Sequence, residues 1–370
     1  MTTLTVLGDP TAGAGTTTVE AELAGGRALV AADDLPGAIG WTLKPEGLCR
    51  GDQCVPVRDR AVLGGTDTGD RDPAVDLLAV AAALGRPAFL DEDSATLAIG
   101  APSDLRRRAL AGRQAPPVEL PDLDGNLRSI SDLHDDKAVV VAFSTWCGCA
   151  YDLPGWQALR DELAEDGLDV VAVALDDDPE AVRPFAEGLD IPVLVDREHV
   201  LSELYAISNV PTVVWLDEQD RIARPNGVAF GTDTFRDFTG VDSEPHKDAI
   251  RRWVRHGDVD VEVDAQEAVG DLSQDELLAR LRFRIGAELR RRGDAEGAER
   301  NLAAAVELAP HAWTVRRAAM PLRGMNPFGD EFFEMAQEWE DAGRPYHGIP
   351  ATQPTDGGDA PSTGAWRPAD

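Results

Sequence analysis

Apolar positions change rhythm three times along this chain. In the middle part, continuous apolar runs alternate with amphipathic ones. Ala138–Phe143 (AVVVAF) and Leu168–Leu175 (LDVVAVAL) are rich in β-branched residues, as expected of central strands covered on both faces. Ile191–Val195 (IPVLV) and Thr212–Leu216 (TVVWL) predict two further strands. The polar turn DEQD leads into another at Arg221–Ala223. Between them, Gly155–Glu165, Pro179–Glu187 and Glu198–Ala206 carry helical spacing. Strands alternating with helices and closed by a hairpin predict a mixed sheet with helices on both faces.

The flanks read differently. In residues 1–112, short apolar segments (Arg27–Ala31, Ala38–Leu43, Cys54–Val57) alternate with Gly/Asp turns, predicting an α+β region. A helix is expected over Asp72–Leu84, with Pro73 in its first turn, and another after Pro102 that includes Leu105 and Leu110. A proline-rich joint, APPVELPDLDGN, opens the middle domain, 115–243. Residues 244–346 read as helices. There Leu278, Leu281, Ile285 and Leu289 recur at helical spacing, Gly293-Asp294 breaks the pattern, and Ala298, Leu302 and Ala305 mark a second helix ended by Pro310. This predicts a helical hairpin. Residues 347–370 have the composition of a disordered tail.

The chain has 370 residues, which suits two or three domains. Its formal net charge of −32 argues against nucleic acid and anionic lipid, both of which need a basic face. Lysine occurs only at Lys44, Lys137 and Lys247. An acid-rich, lysine-poor surface suits high salt, and a GC-rich genome produces the same bias, so no function is drawn from it. No run of about 18 apolar residues occurs, so no membrane span is expected. The opening MTTLTVLGDPTAGAG has neither a basic n-region nor an apolar h-region, and a cytoplasmic location is expected. GAGTTT at Gly13–Thr18 lacks the lysine of a phosphate loop. No cofactor is expected.

Four cysteines form two close pairs, Cys49/Cys54 and Cys147/Cys149. Close pairs in a cytosolic protein lean towards redox or metal work. Only CRGDQC has a usual zinc spacing, because CGC has one intervening residue, and no metal is expected. Three readings of CGC stand side by side: a damaged redox motif, a working short one, or two buried cysteines acting as small apolar residues. Cys49 and Cys54 read either as a pair of ordinary thiols or a rare local cross-link, or as a second dithiol that passes electrons to the CGC pair.

Three features decide between these readings. A buried strand leads directly into Trp146-Cys147. Pro154 lies five residues after Cys149. Asn209-Val210-Pro211-Thr212 precedes a strand and hairpin. In this the region of about 115–240 resembles thioredoxin-fold domains of the ResA/TlpA, AhpC/TSA-like group. The resemblance implies an α/β thioredoxin-like fold, flanked here by the N-terminal α+β region and the C-terminal helical hairpin. It departs from the group's usual CxxC, and looks like a branch with one glycine between the two redox residues and an aspartate, Asp152, before the proline. It further implies a cis-proline at Pro211 and an acid after the second strand, assigned to Asp177 in the run Asp176–Asp178. Residues 278–310 resemble a single tetratricopeptide repeat, with Arg282 where that pattern has an aromatic.

The implied activity is thiol–disulfide exchange. Cys147 attacks a disulfide and Cys149 resolves the mixed disulfide. A strand entering a helix N-terminus favours the thiolate through unpaired N–H groups and the helix dipole. Trp146 shields one side, Gly148 permits the bend that a Cys147–Cys149 bond needs, and the backbone of Val210 pairs with substrate. The expected partners are a protein or small-molecule disulfide or thiol, a thiol electron donor, and a protein partner or second copy on the helical region. Two rivals stand beside this reading. One is a thiol-dependent peroxidase: Ser144 lies three residues before Cys147, but Val140 occupies the place expected for proline. The other is a redox-inactive thioredoxin-fold interaction protein.

Overall fold

The computed structural model describes residues 1–8, 11, 15–64, 74–259 and 269–349. They form two compact units. One comprises Met1–Arg106 with Leu272–Ala309; the other runs over Arg107–Asp271 and from Pro310 onward.

In the second unit the Lys137–Phe143 strand lies at the centre of a five-stranded sheet. Leu168–Ala174 and Val193–Val195 follow on one side, both parallel. Thr212–Leu216 and Ile222–Gly227 follow on the other, each antiparallel to its neighbour. This is the expected thioredoxin-like arrangement. Every residue of 138–143 is buried, as a β-branched run covered on both faces should be. The helix Leu153–Leu163 buries Leu153, Trp156, Leu159 and Leu163 and packs on the 168–174 strand. The helix Glu244–His256 contributes Trp253, which stacks on Trp215 with ring centroids 4.9 Å apart. His246 packs edge-on to Trp215, and burial holds it well below the usual histidine pKa, so it stays neutral.

In the first unit a six-stranded sheet runs in the order Ala74–Asp76, Arg27–Ala31, Thr16–Ala24, Thr2–Leu7, Thr96–Ile99, Ala88–Asp91. A three-stranded sheet, Thr42–Lys44, Gly47–Arg50 and Gln53–Pro56, lies beside it in sequence. Leu4, Val30, Leu35, Leu48, Leu77 and Leu97 are among the residues of its core.

Several expectations need correction. The apolar segment Ala38–Leu43 divides between two elements. Pro36 starts the short helix Leu35–Ile39, Gly40 ends it in the left-handed region, and the strand begins only at Thr42. The helix expected over Asp72–Leu84 starts at Leu77, where the Asp76 side chain caps it by accepting from the Leu78 N–H; Pro73 lies outside the described residues.

The helical region 244–346 is divided between the two units. Helices Gln274–Arg291 and Ala295–Leu308 form the predicted hairpin. Leu281, Ile285, Leu289 and Ala298 pack on Leu7 and Ala98 of the N-terminal sheet. Arg284 is buried and donates to the carbonyls of Ile99 at 2.7 Å and Gly8 at 3.0 Å, satisfying two strand-end acceptors. The apolar face offered by the sequence for an outside partner is therefore used within the unit. Helices Trp313–Leu322 and Asp330–Asp341 belong to the second unit. Thr314 donates from its N–H to Ser208 and from its hydroxyl to Ile207.

The stretch assigned to a tail from 347 begins with ordered chain. Ile349 donates to Asn226, Val228 donates back to Ile349, and Asn226 Nδ2 donates to the His347 carbonyl. A strand edge with free carbonyls captures this segment, which composition alone cannot reveal. Residues 350–370 lie outside the described residues. Among the described residues no helix is long and apolar enough to cross a membrane.

Candidate active site

The central strand delivers the chain to Ser144, whose side chain accepts the Trp146 N–H and caps a tight turn, Thr145–Cys147. Gly148 then takes φ +80°, and a second turn, Cys149–Asp152, runs into the helix at Leu153 with Pro154 in its first turn. Any side chain at 148 would be strained in the left-handed region. A Cβ there would also meet Phe235 Cζ at 3.2 Å and Phe328 Cε1 at 3.5 Å.

This double turn bends the chain enough for a bond. Cys147 and Cys149 are joined in a disulfide with Cα atoms 5.4 Å apart, inside the range a disulfide tolerates. The two sulfurs are not equivalent. Cys149 is 2% exposed; its Sγ lies 3.4 Å from the Ser144 N–H that donates to it and 3.7 Å from the Ser144 carbonyl. Cys147 is half-buried. Its Sγ accepts the Cys149 N–H at 3.3 Å and lies 3.5 Å from the Val210 carbonyl. Both sulfurs accept a backbone N–H that would support a thiolate, and burial separates them: Cys147 is the more accessible of the two.

Trp146, Val210 and Pro211 lie around the pair. Trp146 is buried, and its indole Nε1–H donates to the Leu175 carbonyl at 3.0 Å, fixing the turn to the neighbouring strand. The Val210–Pro211 peptide is cis. Thr212, just after it, shares a hydrogen bond of 2.7 Å with the Tyr346 hydroxyl.

The acid is displaced by one residue. Asp177 is half-buried and uses its carbonyl to accept from Arg197 Nε at 2.7 Å. It is Asp176, 4% exposed, that faces the cysteine turn. Its carboxylate accepts the Thr145 N–H at 3.1 Å and the Thr145 hydroxyl at 2.5 Å. Strand pairing explains the shift: Leu175 still bonds to Phe143, so the next side chain meets the turn that follows Phe143. Burial pushes the Asp176 pKa up to about 6, against the hydrogen bonds from Thr145 and Ser144.

Asp152 is a second buried acid. One of its oxygens accepts from both the N–H and the hydroxyl of Thr232; the other has no hydrogen-bond partner among the described residues. Burial raises its pKa to about 6 as well, opposed by the bonds from Thr232 and Gly231 and by the Lys247 charge. Sequence reasoning missed Asp176 and the two phenylalanines over Gly148. Adjacent aspartates differ only in which way they point, and Phe235 and Phe328 are remote in the chain from residue 148.

These acids fix a pH dependence. Both pKa values, about 6, exceed the ordinary aspartate value of 3.8, so the folded protein holds these protons more tightly than the unfolded chain. The stability this gives is present below pH 4 and is lost as pH rises through 6. In thermal melts the contribution of these two acids is expected to fall between about pH 4 and pH 7, and Asp176→Asn is expected to remove its share of that fall. An Asp176→Asn profile parallel to the unsubstituted protein would rule the assignment out.

Parts of this chain are similar to known proteins. The family model described as AhpC/TSA matches residues 111–224. The thiol-disulfide oxidoreductase ResA of Geobacillus kaustophilus is 27% identical over 143 residues, covering 38% of this chain and 78% of that protein. ResA of Bacillus anthracis is 26% identical over 114 residues, covering 30% of this chain and 66% of that protein. Among solved structures, StoA from Bacillus subtilis aligns with 25% identity and a TM-score of 0.25, covering 29% of this chain and 83% of its own. A thiol:disulfide interchange protein from Bacteroides sp. aligns with 18% identity and a TM-score of 0.30, covering 38% and 88%.

Proposed function

We propose that this protein is a thiol–disulfide oxidoreductase whose redox pair is Cys147 and Cys149. The observation that carries this is the asymmetry of the pair: one half-exposed sulfur beside the cis-proline loop, one buried sulfur bonded to it across a single glycine. In the reduced protein the Cys147 thiolate attacks a substrate disulfide, and one substrate sulfur leaves as thiolate. The buried Cys149 then attacks Cys147 Sγ and expels the second substrate sulfur. Two electrons pass to the substrate, and the Cys147–Cys149 disulfide remains. Run backwards, the same steps oxidise a dithiol.

Substrate is a protein or small-molecule disulfide, and a thiol donor restores the pair. Val210, beside Cys147, presents the backbone on which an extended substrate pairs. The names of the ResA relatives support this reading for residues 115–240. The 274–308 hairpin is read as a single tetratricopeptide-like unit whose role is internal packing.

Mass spectrometry of the non-reduced protein tests the reading. It should return a Cys147–Cys149 link that dithiothreitol removes and that a disulfide substrate restores. Thiols that never link, and that remain inert to alkylation, would leave only the redox-inactive scaffold.

A further inference from the structure

The second cysteine pair lies on a hairpin in the first unit, outside the span of the family match. Strands Gly47–Arg50 and Gln53–Pro56 are joined by the two residues Gly51 and Asp52, and their register sets Cys49 directly opposite Cys54. In a two-residue hairpin the pair next to the loop, here Arg50 and Gln53, is hydrogen-bonded. The following pair is not, and there the side chains come closest. The Cα atoms of Cys49 and Cys54 are 4.1 Å apart, and the sulfurs form a disulfide.

This proximity does not depend on the disulfide. Thr42–Lys44 pairs with the other edge of the Gly47–Arg50 strand, and Leu48 and Val55 pack in the core of the unit. At Gly47 an added Cβ would meet the Val55 carbonyl oxygen at 2.1 Å, so the strands approach as closely there as glycine allows. The register survives reduction, and two thiols are then left side by side.

A third donor stands with them. Glu46 occupies the turn before Gly47. One of its carboxylate oxygens and the two sulfurs all lie within 4.8 Å of one another. Cys49 is buried while Cys54 and Glu46 are exposed, so the cluster opens to solvent on one side. Two thiolates and a carboxylate suit zinc, and three protein ligands leave a fourth position for water.

We propose that reduction of the Cys49–Cys54 disulfide by a dithiol converts this hairpin into a site for one zinc ion, held by Cys49, Cys54 and Glu46. The donor dithiol is oxidised to its disulfide, the Cys49–Cys54 bond breaks, and two protons pass to the two sulfurs. Metal binding then displaces those protons to solvent. Exchange with a disulfide re-forms the Cys49–Cys54 bond, the incoming disulfide being reduced to two thiols; two of the three ligands are lost and the ion is released. The hairpin is thus a metal site gated by thiol redox state, independent of the Cys147–Cys149 chemistry.

Cobalt titration of the full chain carrying Cys147→Ser and Cys149→Ser tests this, because the only remaining thiols are then the hairpin pair. After reduction with dithiothreitol and anaerobic desalting, the protein should bind one Co²⁺ per chain. A thiolate-to-metal charge-transfer band should appear, and one equivalent of Zn²⁺ should abolish it. The oxidised protein should take up none. Cys54→Ser, at an exposed position that the fold tolerates, should lose the band. Glu46→Gln should weaken binding about tenfold or more. Absence of Co²⁺ uptake by the reduced protein, or equal uptake by the oxidised one, overturns the proposal. Unchanged affinity in Glu46→Gln overturns the three-ligand site.

Discussion

Cys149→Ser is expected to hold substrate covalently on Cys147, and Cys147→Ser is expected to hold none. The difference follows from access. Cys147 is half-buried and its Sγ receives an N–H from Cys149, so an approaching disulfide meets an accessible sulfur whose thiolate the backbone also supports. Cys149 is 2% exposed and enclosed by the N–H and carbonyl of Ser144, so its only sulfur partner within reach is Cys147. Without Cys149 the mixed disulfide forms and is not resolved. Without Cys147 it does not form. Either substitution should lower turnover at least about a thousandfold, because two residues that act in sequence fail together. Non-reducing electrophoresis of each variant after exposure to a protein disulfide reads the outcome. An adduct on Cys149 in the Cys147→Ser protein would reverse the assigned order, and adducts in neither would favour a redox-inactive scaffold.

The peroxidase reading finds no support in the position of Ser144. Its side chain accepts from the Trp146 N–H and bonds to Asp176, so the hydroxyl organises the turn.

Much of this site was legible in the sequence because its determinants are local. The strand 137–143, the glycine between the cysteines and Pro154 in the first helical turn all lie within residues 137–154, and burial on both faces leaves an apolar run that is hard to misread. Pro211 was legible for the same reason. What escaped depends on direction or distance. Asp176 and Asp177 are neighbours of identical chemistry, and only the pairing of Leu175 with Phe143 decides which carboxylate meets Thr145. Phe235 and Phe328 reach Gly148 across about 90 and 180 residues of chain, beyond any periodicity. The helical hairpin was recognised as a hairpin, but its destination is set by Arg284 reaching carbonyls 185 and 276 residues upstream. The helix Leu35–Ile39 was not read from the sequence because five residues of helix leave too short a pattern to distinguish from a strand.

Gly155→Ala is expected to destabilise the second unit by about 3 kcal/mol, although alanine is the better helix former. Gly155 lies in the first turn of the helix that follows the cysteines. An added Cβ would stand 2.1 Å from the Gly231 carbonyl oxygen, 2.5 Å from its carbon and 2.7 Å from Thr232 Cγ2. Two of those atoms are backbone and cannot rotate aside. The contact is reciprocal: a Cβ on Gly231 would meet the Asp152 carbonyl oxygen at 2.6 Å and the Trp156 ring at 2.9 Å. Helix and loop thus touch backbone to backbone, and the same loop supplies Thr232, which holds Asp152 through its N–H and hydroxyl. Relieving the clash requires the loop to withdraw, which strips a buried carboxylate of its donors and adds to the cost of packing. Gly112→Ala supplies the control, since a Cβ there meets nothing within 4 Å; it should be neutral or slightly stabilising. Denaturant unfolding followed by tryptophan fluorescence reports on this unit, where Trp146, Trp156, Trp215 and Trp253 all lie. Equal midpoints for the two alanine variants would show that the helix and the 231–232 loop are not locked together, and that the acid before Pro154 is held by something other than this contact.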